Sequence, residues 1–324
     1  MSTSRSRAIV RAALAVALGA AMMPASALAD TTLTIGKASA ISDTNIPVNM
    51  GDQLGLFKKH GLDLKIVDFS GGGKMIQAMT AGSIDIGIGA GTQMSFIAKG
   101  VPMLAICENT TTLPFFAFGV PWDSPIKSRA ELKGKKVGVS TVGSLNDWLA
   151  QELERKEGWG PGGVTHVMIG SDPAAITAAF RSHQIDAYIG GTASFLTMTE
   201  NKIGRLLFPV SEYEGNVGSG TLFASTDLIK TNPDAIRAFL AGWIETARFI
   251  RTHKAEVVKM ESVITGFSES VMAKDYDIVK DMYSTDCKFD PESLAVLKRS
   301  FVELQLLDTV PDMATLYTEA YLPK

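Results

Sequence analysis

The sequence of 324 residues has few of the residues that catalytic and metal centres use. It contains two cysteines and four histidines, and the histidines are scattered, without His-x-x-x-His or Cys/His spacing. Gly73-Lys74 is followed by Met75, so the hydroxyl of a phosphate-binding loop is missing. No Gly-x-Ser-x-Gly motif marks a hydrolase nucleophile. The sequence therefore predicts a protein that is not an enzyme and that uses neither a cofactor nor a metal.

Basic clusters and long apolar runs are also scarce. The formal net charge is −3, and beyond the N-terminal region no group of Lys and Arg is dense enough to bind nucleic acid through counterion release. The apolar run near the N-terminus is shorter than the roughly 18 residues of a membrane-spanning helix, and later segments of that length carry charges. We therefore expect neither nucleic-acid binding nor a membrane span.

The N-terminal residues have the order of a secretory signal peptide. Arg5, Arg7 and Arg11 precede an Ala/Val/Leu run, and Ala27-Leu28-Ala29 is a typical cleavage sequence. Residues 1–29 are therefore predicted to be removed on export to the periplasm. Asp30 follows the cleavage position where a lipoprotein has cysteine, so we expect an untethered monomer.

Disulfides are permitted in that compartment. We interpret Cys107, at the end of an apolar run, as a buried strand thiol. A Cys107–Cys287 disulfide is the alternative.

After residue 29 the chain contains the same module twice, displaced by about 100 positions. The first copy contains Ile76-Gln77-Ala78-Met79, Ile84-Asp85-Ile86-Gly87-Ile88 and Gly91-Thr92, and the second contains Ile176-Thr177-Ala178-Ala179, Ile185-Asp186-Ala187-Tyr188-Ile189 and Gly191-Thr192. Each copy has the pattern of a helix, a buried strand, a Gly-rich turn and a second helix. Further strands are predicted at Leu33–Ile35, Leu64–Val67, Val137–Val139 and Val164–Ile169. Strands that alternate with helices predict two doubly wound, mostly parallel α/β lobes.

The C-terminal third has helix signals and no strand pattern. Asn232-Pro233-Asp234 begins a helix predicted to end near Thr252, and Asp290-Pro291-Glu292 begins one predicted to end near Leu306. Ser268 to Tyr283 is predicted as another. Since these helices have no sheet of their own, we expect them to pack on the first lobe.

Several segments resemble a known family over nearly the whole chain after residue 29. They are Gly55-Leu56-Phe57-Lys58-Lys59-His60-Gly61-Leu62-Asp63-Leu64, Gly71-Gly72-Gly73, Ala81-Gly82-Ser83-Ile84-Asp85-Ile86-Gly87, Asp123-Ser124-Pro125-Ile126-Lys127-Ser128 and Glu131-Leu132-Lys133-Gly134-Lys135-Lys136-Val137-Gly138-Val139. In this order they resemble the nitrate/sulfonate/taurine class of ABC-transporter substrate-binding proteins, including pyrimidine-precursor-binding relatives.

The resemblance implies the type II periplasmic binding fold, with two lobes joined by two crossover strands. We place these near Leu113 to Val120 and Thr221 to Ser225. The first lobe would comprise residues 30–117 and 222–324, and the second lobe residues 118–221. The resemblance also implies a small-molecule solute and an ABC permease in the inner membrane as partners.

The candidate ligand residues lie in the loops at the carboxyl ends of the predicted strands, where α/β sheets bind ligands. Helix-start amides in these loops suit an anionic or carbonyl-bearing solute. The predicted ligand-binding residues are Ser39, Asp43, Thr44, Asn45, Gly73, Gly91, Thr92, Gln93, Ser140, Thr141, Ser144, Gly191 and Thr192. For each hydroxyl, ordinary helix capping is the alternative.

Charge narrows the expected solute. Lys74 is the one basic residue in these loops, and a dianion usually recruits Arg, so a monoanion or a neutral polar or aromatic solute is favoured. Asp43 is interpreted as a solvated acid or cap, and an amine partner is its alternative. Phe115, Phe116 and Trp122 are interpreted as core or hinge packing residues, with stacking on a solute ring as their alternative. Trp148 is interpreted as a packing residue.

Two other functions stay open at this stage. A periplasmic ligand sensor that acts on a membrane kinase would have the same sequence features. A pyrimidine-synthase-like enzyme is the less favoured alternative, because its cysteine-rich motif has no counterpart here.

Overall fold

Two five-stranded sheets form the frame of the protein. The computed structural model describes residues 31–323, so the signal peptide predicted at residues 1–29 lies outside the described residues. The strands are β1 (Thr31–Lys37), β2 (Leu62–Asp68), β3 (Ile86–Gly89), β4 (Met103–Thr112), β5 (Phe116–Pro121), β6 (Lys136–Val139), β7 (Thr165–Met168), β8 (Ala187–Gly191), β9 (Gly204–Pro209) and β10 (Asn216–Ser225). The helices are α1 (Pro47–Gln53), α2 (Leu56–Lys59), α3 (Gly72–Thr80), α4 (Met94–Ala98), α5 (Leu145–Lys156), α6 (Pro173–Arg181), α7 (Thr192–Glu200), α8 (Thr226–Thr231), α9 (Pro233–Thr252), α10 (Lys254–Thr265), α11 (Glu269–Val279) and α12 (Pro291–Glu303). Within residues 31–323 no helix is both long and apolar enough to cross a membrane.

The two sheets have the same topology. Their strand orders are β2-β1-β3-β10-β4 and β7-β6-β8-β5-β9. In the first, β10 runs antiparallel between β3 and β4, while β1 is parallel to β2 and β3. In the second, β5 runs antiparallel between β8 and β9, while β6 is parallel to β7 and β8. The predicted α/β architecture of two similar lobes is confirmed, and we call them lobe 1 and lobe 2.

The chain passes between the sheets twice. The first passage joins β4 to β5 at residues 113–115, within the predicted Leu113 to Val120. The second joins β9 to β10 at residues 210–215. The strands that follow these passages, β5 and β10, overlap the crossover strands predicted near Leu113 to Val120 and Thr221 to Ser225. The division into residues 30–117, 118–221 and 222–324 stays a prediction.

The repeated Ile-Asp pair explains why β3 and β8 begin later than predicted. Ile84 and Ile185 are buried in the core, but the next residue in each copy uses its side chain to hold the neighbouring strand. The Asp85 carboxylate accepts from the Thr34 amide at 2.7 Å, and the Asp186 carboxylate accepts from the Lys136 amide at 2.8 Å. The ladder between strands therefore starts after this contact in both lobes.

The C-terminal helices pack on lobe 1, as predicted. Helix α9 covers α1 and α2, with the Phe57 and Phe239 rings stacked at 5.0 Å between centroids. The Asn232 side chain caps its first turn by accepting from the Ala235 amide. Helix α12 ends at Glu303, short of Leu306, and it also touches lobe 2, because the Trp148 indole donates to Ser300 Oγ at 3.0 Å.

A disulfide joins Cys107 in β4 to Cys287, which precedes α12. Both residues are fully buried, so the prediction that Cys107 is buried is confirmed. The prediction that it is a free thiol was wrong, because it is bonded to Cys287. The apolar run around Cys107 predicts a buried strand, and nothing in that run shows where the chain returns.

Replacing both cysteines by Ala should lower the free energy of unfolding by about 2–5 kcal/mol, because a cross-link across 180 residues restricts the unfolded chain. Urea unfolding of the oxidised protein and the variant measures this difference. Reduction should destabilise the wild type and leave the variant unchanged. Equal stability of the oxidised wild type and the variant would contradict the cross-link.

Candidate functional site

A cavity of about 100 Å³ lies between the carboxyl ends of the strands of the two lobes. Lobe 1 contributes the segment after β1, the start of α3 and the end of β3. Lobe 2 contributes the loop between β6 and α5 and the turn between β8 and α7. The lining residues include Ala38, Ser39, Ile41, Ser42, Asp43, Thr44, Asn45, Gly72, Gly89, Ala90, Gln93, Phe116, Ser140, Ser144, Leu145, Asn146, Ser171, Ile176, Tyr188, Ile189, Gly190, Gly191, Ala193, Ser194 and Ser219.

The predicted ligand-binding residues divide into two groups. Those that line the cavity are Ser39, Asp43, Thr44, Asn45, Gln93, Ser140, Ser144 and Gly191. Those that do not are Gly73, Gly91, Thr92, Thr141 and Thr192. Whether the first group contacts a solute stays a prediction.

Three of the second group lie where the lobes touch. The Gly73 amide donates to Thr141 Oγ1 of the other lobe at 3.0 Å. Thr92 Oγ1 lies 3.5 Å from the Gly143 carbonyl oxygen, also across the cleft. Together with a hydrogen bond from the Ser171 amide to Ser70 Oγ at 3.2 Å, these contacts hold the lobes against each other beside the cavity.

The remaining two have local roles. Gly91 packs so closely against Leu297 that a Cβ would lie 2.5 Å from Leu297 Cδ1. Thr192 Oγ1 donates to the Phe115 carbonyl oxygen at 2.6 Å, which ties α7 to the first passage between the sheets. The shared Gly-Thr turn of the repeat therefore supports packing in both copies.

Asn146 organises the lobe 2 wall. Its Oδ1 accepts from the Ser140 amide, from Ser140 Oγ and from Ser144 Oγ at 2.6–3.2 Å. Its Nδ2 donates to the Ile189 carbonyl oxygen at 3.1 Å. Sequence reasoning missed this residue because it looked only at loops, and Asn146 lies in the first turn of α5.

On lobe 1 the segment after β1 is held in place by hydrogen bonds from buried side chains. Lys37 is only 1% exposed and donates to the Ala40 carbonyl oxygen and to Asn49 Oδ1. Asn45 Nδ2 donates to the Ser39 carbonyl oxygen at 3.0 Å. The segment therefore keeps its shape without a solute.

Asp43 differs from the rest of the wall, and its interpretation as a solvated acid was wrong. It is 4% exposed, with Glu261 of α10 and Asp275 of α11 near it, and both are almost fully buried. Burial and then the nearby Asp275 and Glu261 carboxyls raise the pKa of Asp43 well above its ordinary value. The local sequence gives no sign of this, because Glu261 and Asp275 both lie more than 200 positions from Asp43 in the chain.

Phe115 and Trp148 are fully buried and pack in the core, as interpreted. The interpretation of Trp122 as a packing residue was wrong, because it is 43% exposed. Phe116 is part-buried and lines the cavity.

A charged histidine supports the loop before α5. The Gly143 amide donates to Asp147 Oδ2 at 2.8 Å, and His166 Nδ1 contacts Asp147 Oδ1 at 2.7 Å. Burial lowers the pKa of His166, but the carboxylates of Asp147 and Glu154 outweigh it and raise that pKa to about 9. The imidazolium therefore fixes Asp147, which fixes the loop that faces lobe 1.

The family model described as NMT1/THI5 like matches residues 44–257, which include the cavity loops of both lobes. The chain belongs to the NMT1/THI5-like family. A relative from Brucella abortus, named only as a binding protein, is 30% identical over 250 residues, which are 76% of this chain and 75% of the relative.

Solved structures show the same fold. The alkanesulfonate-binding protein SsuA from Xanthomonas axonopodis pv. citri, bound to MOPS, has a TM-score of 0.75 at 18% identity, with 89% of this chain and 98% of that chain covered. The periplasmic nitrate-binding protein NrtA from Synechocystis PCC 6803 has a TM-score of 0.71 at 15% identity, with 90% and 87% covered. The chain therefore has the fold of periplasmic solute-binding proteins.

Thr141→Val should lower the ratio of closed to open molecules in the solute-free protein by about fivefold, because a hydrogen bond between the lobes contributes about 1 kcal/mol. Energy transfer between dyes placed on the two lobes measures closure. Thr80→Val is the matched control, since Thr80 Oγ1 bonds only within its own helix. An unchanged closed population in Thr141→Val would contradict the role of this contact.

His166→Gln should destabilise the protein by about 1.5–3 kcal/mol near neutral pH, since the imidazolium bonds to carboxylates. Because the folded pKa lies above the ordinary value, this stability is full below about pH 6.5 and is lost as the pH rises through about 9. Urea unfolding over that pH range tests the prediction. His183→Gln, at an exposed position, is the control; a pH-independent difference for His166→Gln would count against the ion pair.

Proposed function

We propose that this protein is the solute-binding component of an ABC importer. In this proposal it captures a small solute between its lobes in the periplasm and delivers it to a permease in the inner membrane. The observation that supports this most is the cavity itself, which is lined by strand-end loops of both lobes and has contacts between the lobes along its edge. A solute that touches both walls favours the closed form over the open form.

The walls support binding rather than catalysis. The hydroxyls of Ser140 and Ser144 both donate hydrogen bonds to the Asn146 side chain. They therefore form a fixed polar surface, and this arrangement does not activate either serine as a nucleophile. Within residues 31–323, no group of three or more His, Cys, Asp or Glu residues is arranged to hold a metal ion. In this proposal the protein binds its solute without changing it, and we propose that it acts as a monomer.

A thermal-shift screen tests the proposal directly. The panel contains nitrate, sulfonates, small carboxylates, aromatic acids, pyrimidines and small amines. A solute that binds only the native state at about 100 times its Kd stabilises it by about 2.7 kcal/mol, so at least one member should raise the melting temperature. Uptake of that solute by cells with and without the gene then tests delivery to a permease.

Gly191→Leu should abolish this shift. Gly191 has ordinary negative φ and lines the cavity, and a Cβ there has its nearest neighbour, Asp43 Oδ2, at 3.8 Å. A leucine would therefore occupy solute volume without straining the backbone. Ala81→Leu is the control, because Ala81 is exposed at the end of α3 and does not line the cavity. Retained binding in Gly191→Leu would place the solute elsewhere.

A further inference from the structure

The cavity has an unusual charge balance for a family with anion-binding structural neighbours. Its lining residues include no Arg, Lys or His, and Asp43 is the one carboxylate among them. Lys37 is the buried basic residue closest in sequence to the cavity segment after β1. Its Nζ is paired with an Asp68 carboxylate oxygen at 3.0 Å. An anion in this cavity would therefore meet a carboxyl group and no cationic side chain of the described residues.

Several amides at the helix starts near the cavity already donate to groups of the protein. The Gly73 amide donates to Thr141 Oγ1, the Ala90 amide to Gln93 Oε1, the Gly143 amide to Asp147 Oδ2, the Asp147 amide to Ser144 Oγ and the Thr192 amide to the Phe115 carbonyl oxygen. These five amides are therefore not free to donate to an anion.

Behind Asp43 the protein has buried negative groups without a positive partner. Neither oxygen of the Glu261 carboxyl, which is 1% exposed, has a hydrogen-bond partner among the described residues, and the Asp275 carboxyl, which is 0% exposed, shares a hydrogen bond with the Asp43 carboxyl. Tyr283, the other titratable group packed on this cluster, donates its hydroxyl to the Asp43 carbonyl oxygen and not to a carboxyl. Among residues 31–323 no ion pair involves any of the three acids.

Buried carboxyls without a partner cost free energy that a cation can recover. The cluster reaches the cavity through Asp43, whose Oδ2 lies near the open side of Gly191. We infer that the solute carries a protonated nitrogen, which binds to the Asp43 carboxylate inside the cavity. This inference rests on the proposed function and names the chemical class of its solute.

The apolar surface of the cavity restricts that class further. Ile41, Phe116 and Ile176 give it apolar surface opposite the polar wall. The solute is therefore a small amine with one compact apolar or ring portion.

Matched sets of amine, alcohol and carboxylate test the charge of the solute. Titration calorimetry with the full chain uses benzylamine, benzyl alcohol and benzoate, and the corresponding butyl and cyclohexyl compounds. We expect the amines to bind and the alcohols and carboxylates of the same skeleton to bind at least tenfold more weakly.

Asp43→Asn keeps the shape of the side chain and removes its charge. Amine affinity should fall by about ten- to a hundredfold, as for a lost charge-assisted hydrogen bond. The unliganded variant should melt at the same temperature as the wild type or higher, because a buried unpaired acid has been removed. Asp123→Asn, at an exposed position, should change neither quantity.

Proton release supplies an independent readout. The Asp275 and Glu261 carboxyls, with burial, raise the pKa of Asp43, and a bound cation lowers it again. Amine binding near neutral pH should therefore release protons, seen as a dependence of the binding heat on the ionisation enthalpy of the buffer. Asp43→Asn should lose most of this dependence.

Several results would overturn the inference: no binding of any amine, carboxylates that bind as tightly as amines, or unchanged amine affinity in Asp43→Asn. If a carboxylate, sulfonate or nitrate binds and Gly191→Leu blocks it, the proposed function stands and the inference about charge fails. If no member of either panel binds, both fail.

Discussion

The whole molecule depends on an exchange of strands between its two sheets. Each sheet has an antiparallel strand that does not belong to its own run of alternating strands and helices: β5 enters the second sheet before that run begins, and β10 enters the first after the second is complete. Because both strands sit between two partners in their sheets, the links at residues 113–115 and 210–215 are anchored at each end. The lobes can move about these links only as units, and their strand tips stay opposite each other.

Hydrogen bonds within each lobe hold the cavity walls in shape. Polar groups at the strand tips would otherwise need water or a solute, and here they bond to one another around Asn146 in lobe 2 and around Lys37 and Asn45 in lobe 1. A wall that keeps its shape in the empty protein loses less conformational freedom when a solute arrives. Asp43 stands apart, because its nearest titratable neighbours are other acids.

Much of the architecture could be predicted from the sequence, since periodicity and capping are local. The repeated Ile-Asp-x-x-x-Gly segments predict β3 and β8, and Asn232-Pro233 predicts the start of α9 at the correct residue. The second crossover strand was placed at Thr221 to Ser225, but its start at Asn216 could not be predicted, because β10 pairs with strands more than 100 positions away. The cavity loops were found through the rule for strand ends, but the roles of Thr92 and Thr141 were not, because contacts between lobes depend on how the lobes close. The acids behind Asp43 come from α10 and α11, which the search of strand-end loops left out.

The disulfide has a consequence for how the chain is made. Cys107 and Cys287 belong to the same lobe, yet the 180 positions between them contain every strand of the other lobe. Synthesis therefore completes lobe 2 before the covalent closure of lobe 1 is possible. Lobe 2 is therefore complete before Cys287 is synthesised. Lobe 1, which contains the first strand of the chain, is the last to be cross-linked.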